Sequence, residues 1–287
     1  MNTPQDSQTA VDDHDTDSPA HNAHAATAAH HEVGSTDQAH GLRAMFGDGV
    51  PQLYCLASAL PPDATVTLGL GTAHALRHRG HLTLLVDEVP LFERKASKGF
   101  AFPVRFDLGQ VFSGSIGLNR VLRKVSDKLW FATGVKVAAA VAAKRTRSPS
   151  LVDMLQRSGL DFEFVIIASC EPFGTNMPCY GGDVQRVVVA APDDASLSRA
   201  LSHLRELSVL VGGEAVPVLI VGGSEAEGHQ AFDRLAQQSQ QLLEQPLRSL
   251  GWVPSASATR FGKGNDHDLV LPITLYQSLV GHMTALG

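Results

Sequence analysis

The chain has 287 residues, 44% of them hydrophobic and 18% charged, with a formal net charge of −6. That length can build a full core in one large domain, or in a domain that carries a tail. The charge is mild and no basic block occurs, so nucleic acid is not an implied partner, and no apolar run approaches the roughly 20 residues of a membrane-spanning helix.

Residues 1–36 are rich in Asp, Ser, Thr, Ala and His and poor in large apolar residues. Such a segment cannot bury enough surface to offset the entropy of ordering, and it is expected to be a disordered His/Asp-rich tail. It has no apolar stretch of the kind a secretory signal needs. His14, His21, His24, His30, His31 and His40 lie at spacings that match no closed metal site, so a solvated tail is the reading. Next comes Ser35–Gly47, "STDQAHGLRAMFG". Ser35 or Thr36 can cap a short helix with Asp37 and Gln38 in its first turn. Ala39, Leu42, Met45 and Phe46 then share one apolar face. A helix this short is marginal alone and would fold against a partner's groove.

From Pro51 onward, short apolar runs alternate with helical patterns. The expected strands are Gln52–Ser58, Leu82–Asp87, Leu129–Ala132, Phe164–Ala168, Arg186–Ala190, Val216–Val221 and Leu247–Val253. The expected helices are Val66–Arg79, Leu108–Lys124, Ser150–Arg157, Ala195–Leu207, Glu225–Leu243 and Pro272–Ala285. "FEFVIIAS" and "VPVLIVGG" are apolar nearly throughout, as central parallel strands are. The expected fold class is therefore α/β, a mostly parallel sheet with helices on both faces. Cys55, Cys170 and Cys179 are too few for a disulfide framework and suit a reducing cytoplasm. His74 and His78 share a helix face without the Glu of a metalloprotease motif, and Cys170 with Glu171 has no placeable His partner, so neither pair implies catalysis.

The order strand, loop, helix, strand in Tyr54–Glu88 resembles the MinD/ParA group of P-loop ATPases. "LDFEFVIIASCEPFG" lies in the place of its Walker B strand, and "RVVVAAPDDASLSRALSHLREL", "VPVLIVGGSEAEG" and "PLRSLGWVP" resemble the units that follow. The resemblance implies a nucleotide site, and the residues at its diagnostic positions are unusual. A phosphate cradle needs glycines and a Lys. The matching segment, Ala59–Val66, has neither, and Thr65 stands where the Lys would be. Pro61 and Pro62 remove two backbone donors. Thr65 or Thr67 could offer a hydroxyl to magnesium. Of the acidic strand-end pair Asp87 is kept, Glu88 follows it, and Val89 replaces the second acid. Ala168 replaces the Walker B acid, and Gly222 replaces the base-recognising Asn. This reads as a degenerate nucleotide site at Thr65, Thr67, Asp87 and Glu88, with no cofactor expected; ATP with magnesium belongs only to the alternative of a still-binding ATPase.

The segment ahead of the fold narrows the resemblance further. Asp37, Gln38, Ala39, Leu42 and Arg43 match the DQAxxLR motif that precedes the ATPase domain of FlhG, also called FleN or YlxH, a MinD-like regulator of flagella. "FDLGQVFSGSIGLNRVLRKVSDKLWFATG" also resembles an FlhG segment. In that family the motif docks on the GTPase FlhF and stimulates its GTP hydrolysis. The resemblance thus implies three regions: a tail at 1–36, an activator segment at 37–47 and a MinD/ParA-like domain at 50–287. It implies a cytoplasmic, partner-binding pseudo-ATPase with a polar placement in the cell. Gln38 would reach towards the GTPase site, with Leu42, Met45 and Phe46 as anchors. An antiactivator that binds a flagellar transcription factor, or a ligand of the flagellar switch complex, is the other class of alternative. "LPITLYQSLVGHMTALG" carries an apolar stripe of Leu275, Leu279, Met283 and Leu286 but no Lys or Arg, so attachment to anionic lipid is not expected of it.

Overall fold

The computed structural model describes residues 50–90, 105–143, 149–171, 177–181, 183–209 and 213–254. The expected tail, the Asp37–Gly47 segment and the Pro272–Ala285 helix lie outside them.

Among the described residues the chain runs β1 (Gln52–Ser58), α1 (Pro62–His78), β2 (Thr83–Asp87), α2 (Leu108–Phe112), β3 (Arg123–Ser126), β4 (Leu129–Thr133), α3 (Val137–Ala143), α4 (Leu151–Arg157), β5 (Phe164–Ser169), α5 (Met177–Tyr180), β6 (Val184–Ala190), α6 (Asp194–Ser208), β7 (Val216–Val221), α7 (Glu225–Leu243) and β8 (Leu247–Val253). The strands form one sheet in the order β3-β4-β2-β5-β1-β6-β7-β8. All neighbours are parallel except β3, which returns antiparallel along β4. The expected α/β sheet is therefore present, with β5 at its centre buried on both faces.

Strand alternation divides the apolar residues between two sides. Tyr54, Leu56, Ile166 and Ala168 meet Leu68, Ala73 and Leu76 of α1. On the other side Leu53, Cys55, Val165 and Ile167 pack with the α2–α5 region. Val188, Ala190, Val218 and Ile220 pack there with Leu197 and Leu204 of α6 and Leu235 of α7. Full burial of each such Leu or Ile is worth about 1.5–3 kcal/mol, and this drives the sheet and its helices together.

Two helices depart from the sequence reading. The expected helix Leu108–Lys124 is three pieces: α2, a 3-10 turn at Leu118–Arg120, and the edge strand β3. Its apolar residues have helical spacing, but Gly114 takes a left-handed φ of 81° and breaks the path. The other, α1, begins four residues earlier than Val66 because Pro62 fits the first helical position, where no N–H is needed. In addition, α3 and α5 were not anticipated. The remaining helices match closely: Ser150, Asp193 and Ser224 each accept a backbone N–H as N-caps of α4, α6 and α7.

Helix α7 crosses β8 at a close approach. A Cβ on Gly228 would stand 2.4 Å from Cδ1 of Trp252, whose indole N–H donates to the Gly222 carbonyl at 2.7 Å. Gly228→Ala should therefore lower stability by about 1–3 kcal/mol through overpacking, checked by denaturant unfolding. An unchanged midpoint would mean that the helix and indole part freely.

Candidate functional site

In parallel α/β sheets the ligand crevice lies beyond the carboxyl ends of the strands. At the end of β1 three residues, Ala59, Leu60 and Pro61, join the strand to α1. The Ala59 N–H donates to the Val189 carbonyl at 2.8 Å, and the Thr65 N–H donates to Pro61 O at 3.0 Å. Leu60 N–H donates to Ser58 Oγ at 3.2 Å. Pro61 and Pro62 have no N–H, which leaves the first-turn amides of Asp63 and Ala64, with the Asp63 carboxylate in that same turn.

One carbonyl of this loop faces a cation instead. Ala59 O accepts Arg199 Nε at 2.9 Å, Arg199 Nη2 at 2.7 Å and the Ser196 hydroxyl at 3.1 Å. Beside it, His203 Nε2 lies 3.4 Å from the Ser58 carbonyl. Ala59 and Leu60 are themselves buried, and Leu60 belongs to the core on the α1 side. The junction is thus a turn latched by α6 through the Ala59 carbonyl.

The four residues expected of a degenerate nucleotide site take different places. Thr65 is fully buried, and its hydroxyl lies 2.7 Å from Ser58 Oγ and 3.2 Å from Pro61 O. The Cys170 thiol approaches it at 3.5 Å. Thr67 donates to the Asp63 carbonyl at 2.7 Å. Asp87, buried at the end of β2, accepts the Val89 N–H at 3.0 Å and sits beside Ala168 in the sheet register. Glu88 turns to the Tyr180 hydroxyl, which donates to its Oε1 at 2.5 Å. Burial, followed by the Glu88 charge, pushes the Tyr180 phenol well above its ordinary pKa, and the same two causes push the Cys179 thiol up to about 12. Both are held protonated and unreactive at neutral pH.

The positions that the resemblance assigns to the Walker B acid and the base-recognising Asn are occupied by packing and backbone contacts. A Cβ on Gly69 of α1 would be only 2.8 Å from the Cβ of Ala168, so the helix lies directly on that position. At Gly222 the N–H donates to Val253 O at 2.8 Å, and the carbonyl accepts the Trp252 indole. Among the described residues no group of three His, Cys, Asp or Glu could hold a metal ion, and the His74 and His78 rings are 6.4 Å apart. No described helix is long and apolar enough to cross a membrane.

Sequence reasoning missed the latch residues Ser196, Arg199 and His203, which lie some 140 positions from the loop and carry no local signal. It also missed Asp107, although Asp107-x-x-Gln110 is a legible capping box. The buried Asp107 carboxylate accepts from Gly109 N at 2.7 Å, Lys136 N at 3.2 Å and the Thr133 hydroxyl at 3.3 Å, tying α2 to the end of β4. Burial raises its pKa against the opposing pull of those donors.

A parallel sheet with this strand order and an α1 helix springing from its central strand defines a P-loop NTPase type of fold. Comparison with known proteins makes the type specific. No family model and no curated protein matches the sequence. Solved structures do match. MinD cell division protein from Aquifex aeolicus is 16% identical, with TM-score 0.50 over 80% of this chain and 97% of that one. The septum site-determining protein MinD from Pyrococcus horikoshii, complexed with Mg-ADP, is 14% identical, with TM-score 0.52 over 83% of this chain and 99% of its own. A plasmid partition protein from Borrelia burgdorferi is 9% identical, with TM-score 0.52 over 81% and 99%. The chain therefore has the MinD/ParA-like fold.

The Pyrococcus horikoshii structure is complexed with Mg-ADP, and the described residues after β1 do not fit a phosphate. Two amides, a nearby Asp63 carboxylate and a carbonyl tied to arginine do not make a phosphate cradle.

Acid should weaken the latch. Burial, reinforced by the Arg199 charge, lowers the His203 pKa from the ordinary 6.5, against the opposing Ser58 carbonyl and Glu206. The unfolded chain then takes up this proton at higher pH than the folded one, so stability is complete above 6.5 and falls as pH drops towards the folded pKa. His203→Gln should flatten this part of the stability profile, measured by denaturant unfolding at about pH 5 and about pH 7.5. Equal slopes in both proteins would remove His203 from the account.

Proposed function

We propose that this chain is an FlhG-like regulator of flagellar number and placement that neither needs nor hydrolyses ATP. Its segment Asp37–Phe46 binds an FlhF-type GTPase and stimulates GTP hydrolysis, while the α/β body acts as scaffold. Asp37, Gln38, Ala39, Leu42 and Arg43 supply the motif, Gln38 reaches towards the GTPase site, and Leu42, Met45 and Phe46 anchor the segment. Thr65, Thr67, Asp87 and Glu88 are structural in this reading.

The observation that carries the proposal is the turn at Ala59, whose carbonyl is held by Arg199 and Ser196. A chain that keeps a MinD/ParA-like fold, closes its phosphate end and still carries the intact motif "DQAHGLR" ahead of β1 retains what a GTPase activator uses. Without a lysine or an amide cradle, little would stabilise charge on a transferring phosphoryl group.

The test is the GTP hydrolysis rate of the cognate FlhF-type GTPase alone, with this protein, and with its Gln38→Ala variant, all without ATP. Several-fold stimulation that Gln38→Ala abolishes is the expected result. No stimulation of a GTPase shown to be active by other means would sink the proposal and favour the antiactivator alternative. A separate titration addresses the body. ATP with magnesium should show no saturable binding up to about 1 mM, an affinity weaker than about −4 kcal/mol. Tight binding lost in Asp87→Ala would instead establish a nucleotide site built from other contacts.

A further inference from the structure

Among the described strands β3 is the outermost on its side of the sheet and pairs with β4. The backbone N–H and C=O groups on its other side point out of the sheet, as at any edge. Arg123 and Lys124, its first two residues, are exposed, and alternation sets them on opposite faces. Arg120 is exposed just ahead of the strand. The turn into β4 carries Lys128, whose Nζ donates to the Gly80 carbonyl at 2.8 Å. From the end of α1, Arg77 donates to Ser126 Oγ at 3.1 Å and brings its charge to the same corner. Residues 120–130 include a single acid, Asp127, which is 3.5 Å from Lys124 with its side chain 87% exposed. Such an exposed pair contributes little and leaves the edge basic. The whole chain carries −6, so this edge runs against its own background.

We propose that β3 is a docking edge for an acidic, extended segment of a partner protein, which adds to the sheet as a further strand. Two features select this occupant. The outward backbone side of an edge strand is met in register by another polypeptide, whereas a nucleic acid or a lipid surface has no matching row of amides and carbonyls. The cations also lie on both faces of the sheet, where successive acidic side chains of an added strand meet Arg123 on one face and Lys124 on the other. A flat anionic surface would reach one face alone. A second copy of β3 is a poor occupant, because Arg123 and Lys124 would lie across from their own kind, and like charges on paired strands destabilise the pairing. The residues that keep β3 from pairing with itself are thus the ones that select an acidic partner. This docking edge does not rest on the GTPase reading above, which concerns another part of the chain.

The test titrates the full chain, at low salt, with a short fluorescent peptide of Thr, Val and Glu that has two Glu in succession at its centre. Fluorescence anisotropy should saturate, and hydrogen exchange should slow at the β3 amides. Arg123→Glu with Lys124→Glu should weaken binding about tenfold or more, with Tm unchanged because both side chains are exposed. The neutral pair Arg123→Gln with Lys124→Gln should fall between the two. The same peptide methylated at every backbone nitrogen keeps its charge but cannot donate to a strand, and it should not bind. No saturable binding, equal binding of the methylated peptide, or undiminished affinity in the charge-reversed variant would overturn the proposal. Tighter binding of duplex DNA or of phosphatidylglycerol vesicles through Arg123 and Lys124 would overturn it in favour of those surfaces.

Discussion

One carbonyl group organises the carboxyl end of the sheet. Ala59 O receives two N–H donors from the Arg199 guanidinium and a hydroxyl from Ser196, so three donors from α6 converge on the turn that follows β1. A hydrogen bond from a charged donor contributes about 1.5–3 kcal/mol, towards the lower end here because Arg199 is exposed. The direction of the dipole matters as much as the energy. A turn that holds a guanidinium by its carbonyl cannot use that peptide to hold a phosphate, and the two prolines that follow have no N–H to offer. Ser196 strengthens the arrangement, since its Oγ also accepts the Ala191 N–H at 2.8 Å while its own N–H is capped by Asp193. The latch is thus built into the start of α6 and is not a loose surface contact.

The neighbouring strand ends follow the same pattern. Three positions that the sequence resemblance assigns to the nucleotide site make contacts within the protein. Ala168 lies under Gly69, Gly222 is joined to Val253 and Trp252, and Glu88 is joined to Tyr180. The contact at Ala168 depends on a small residue, because a larger side chain would collide with α1, and Gly222 takes a left-handed φ of 97° that favours glycine. These contacts are therefore distributed over the ends of β1, β2, β5 and β7.

Much of this was legible in the amino-acid order, and what was not has physical causes. Parallel strands such as Phe164–Ser169 announce themselves because both faces are buried and nearly every residue is apolar. Helix α7 was legible to the residue because Ser224 and Glu227 form a capping box ahead of an amphipathic run. By contrast, β3 is a polar edge strand, "RKVS", whose pairing with β4 leaves no periodic trace in sequence. Its neighbours Val121 and Leu122 extended the helical spacing begun by Leu108 and concealed the break at Gly114. The absence of glycine and lysine at Ala59–Val66 was visible at once. The arginine that closes the turn was not, since a contact across 140 residues is a product of the fold and not of local order.

Under the proposed reading, the latched turn also bears on how such a protein could be controlled. A ligand shifts a conformational equilibrium only by its difference in affinity for the two states. With the phosphate end closed by Arg199, ATP has no state to prefer, and a nucleotide-driven switch between monomer and dimer loses its lever. Control then passes to the short segment Asp37–Phe46. A helix of that length forms only when a partner's surface offsets the ordering cost. Under that reading its affinity would be set by the apolar anchors Leu42, Met45 and Phe46, and its effect on the partner by Gln38. Binding would then follow the concentration of the partner alone.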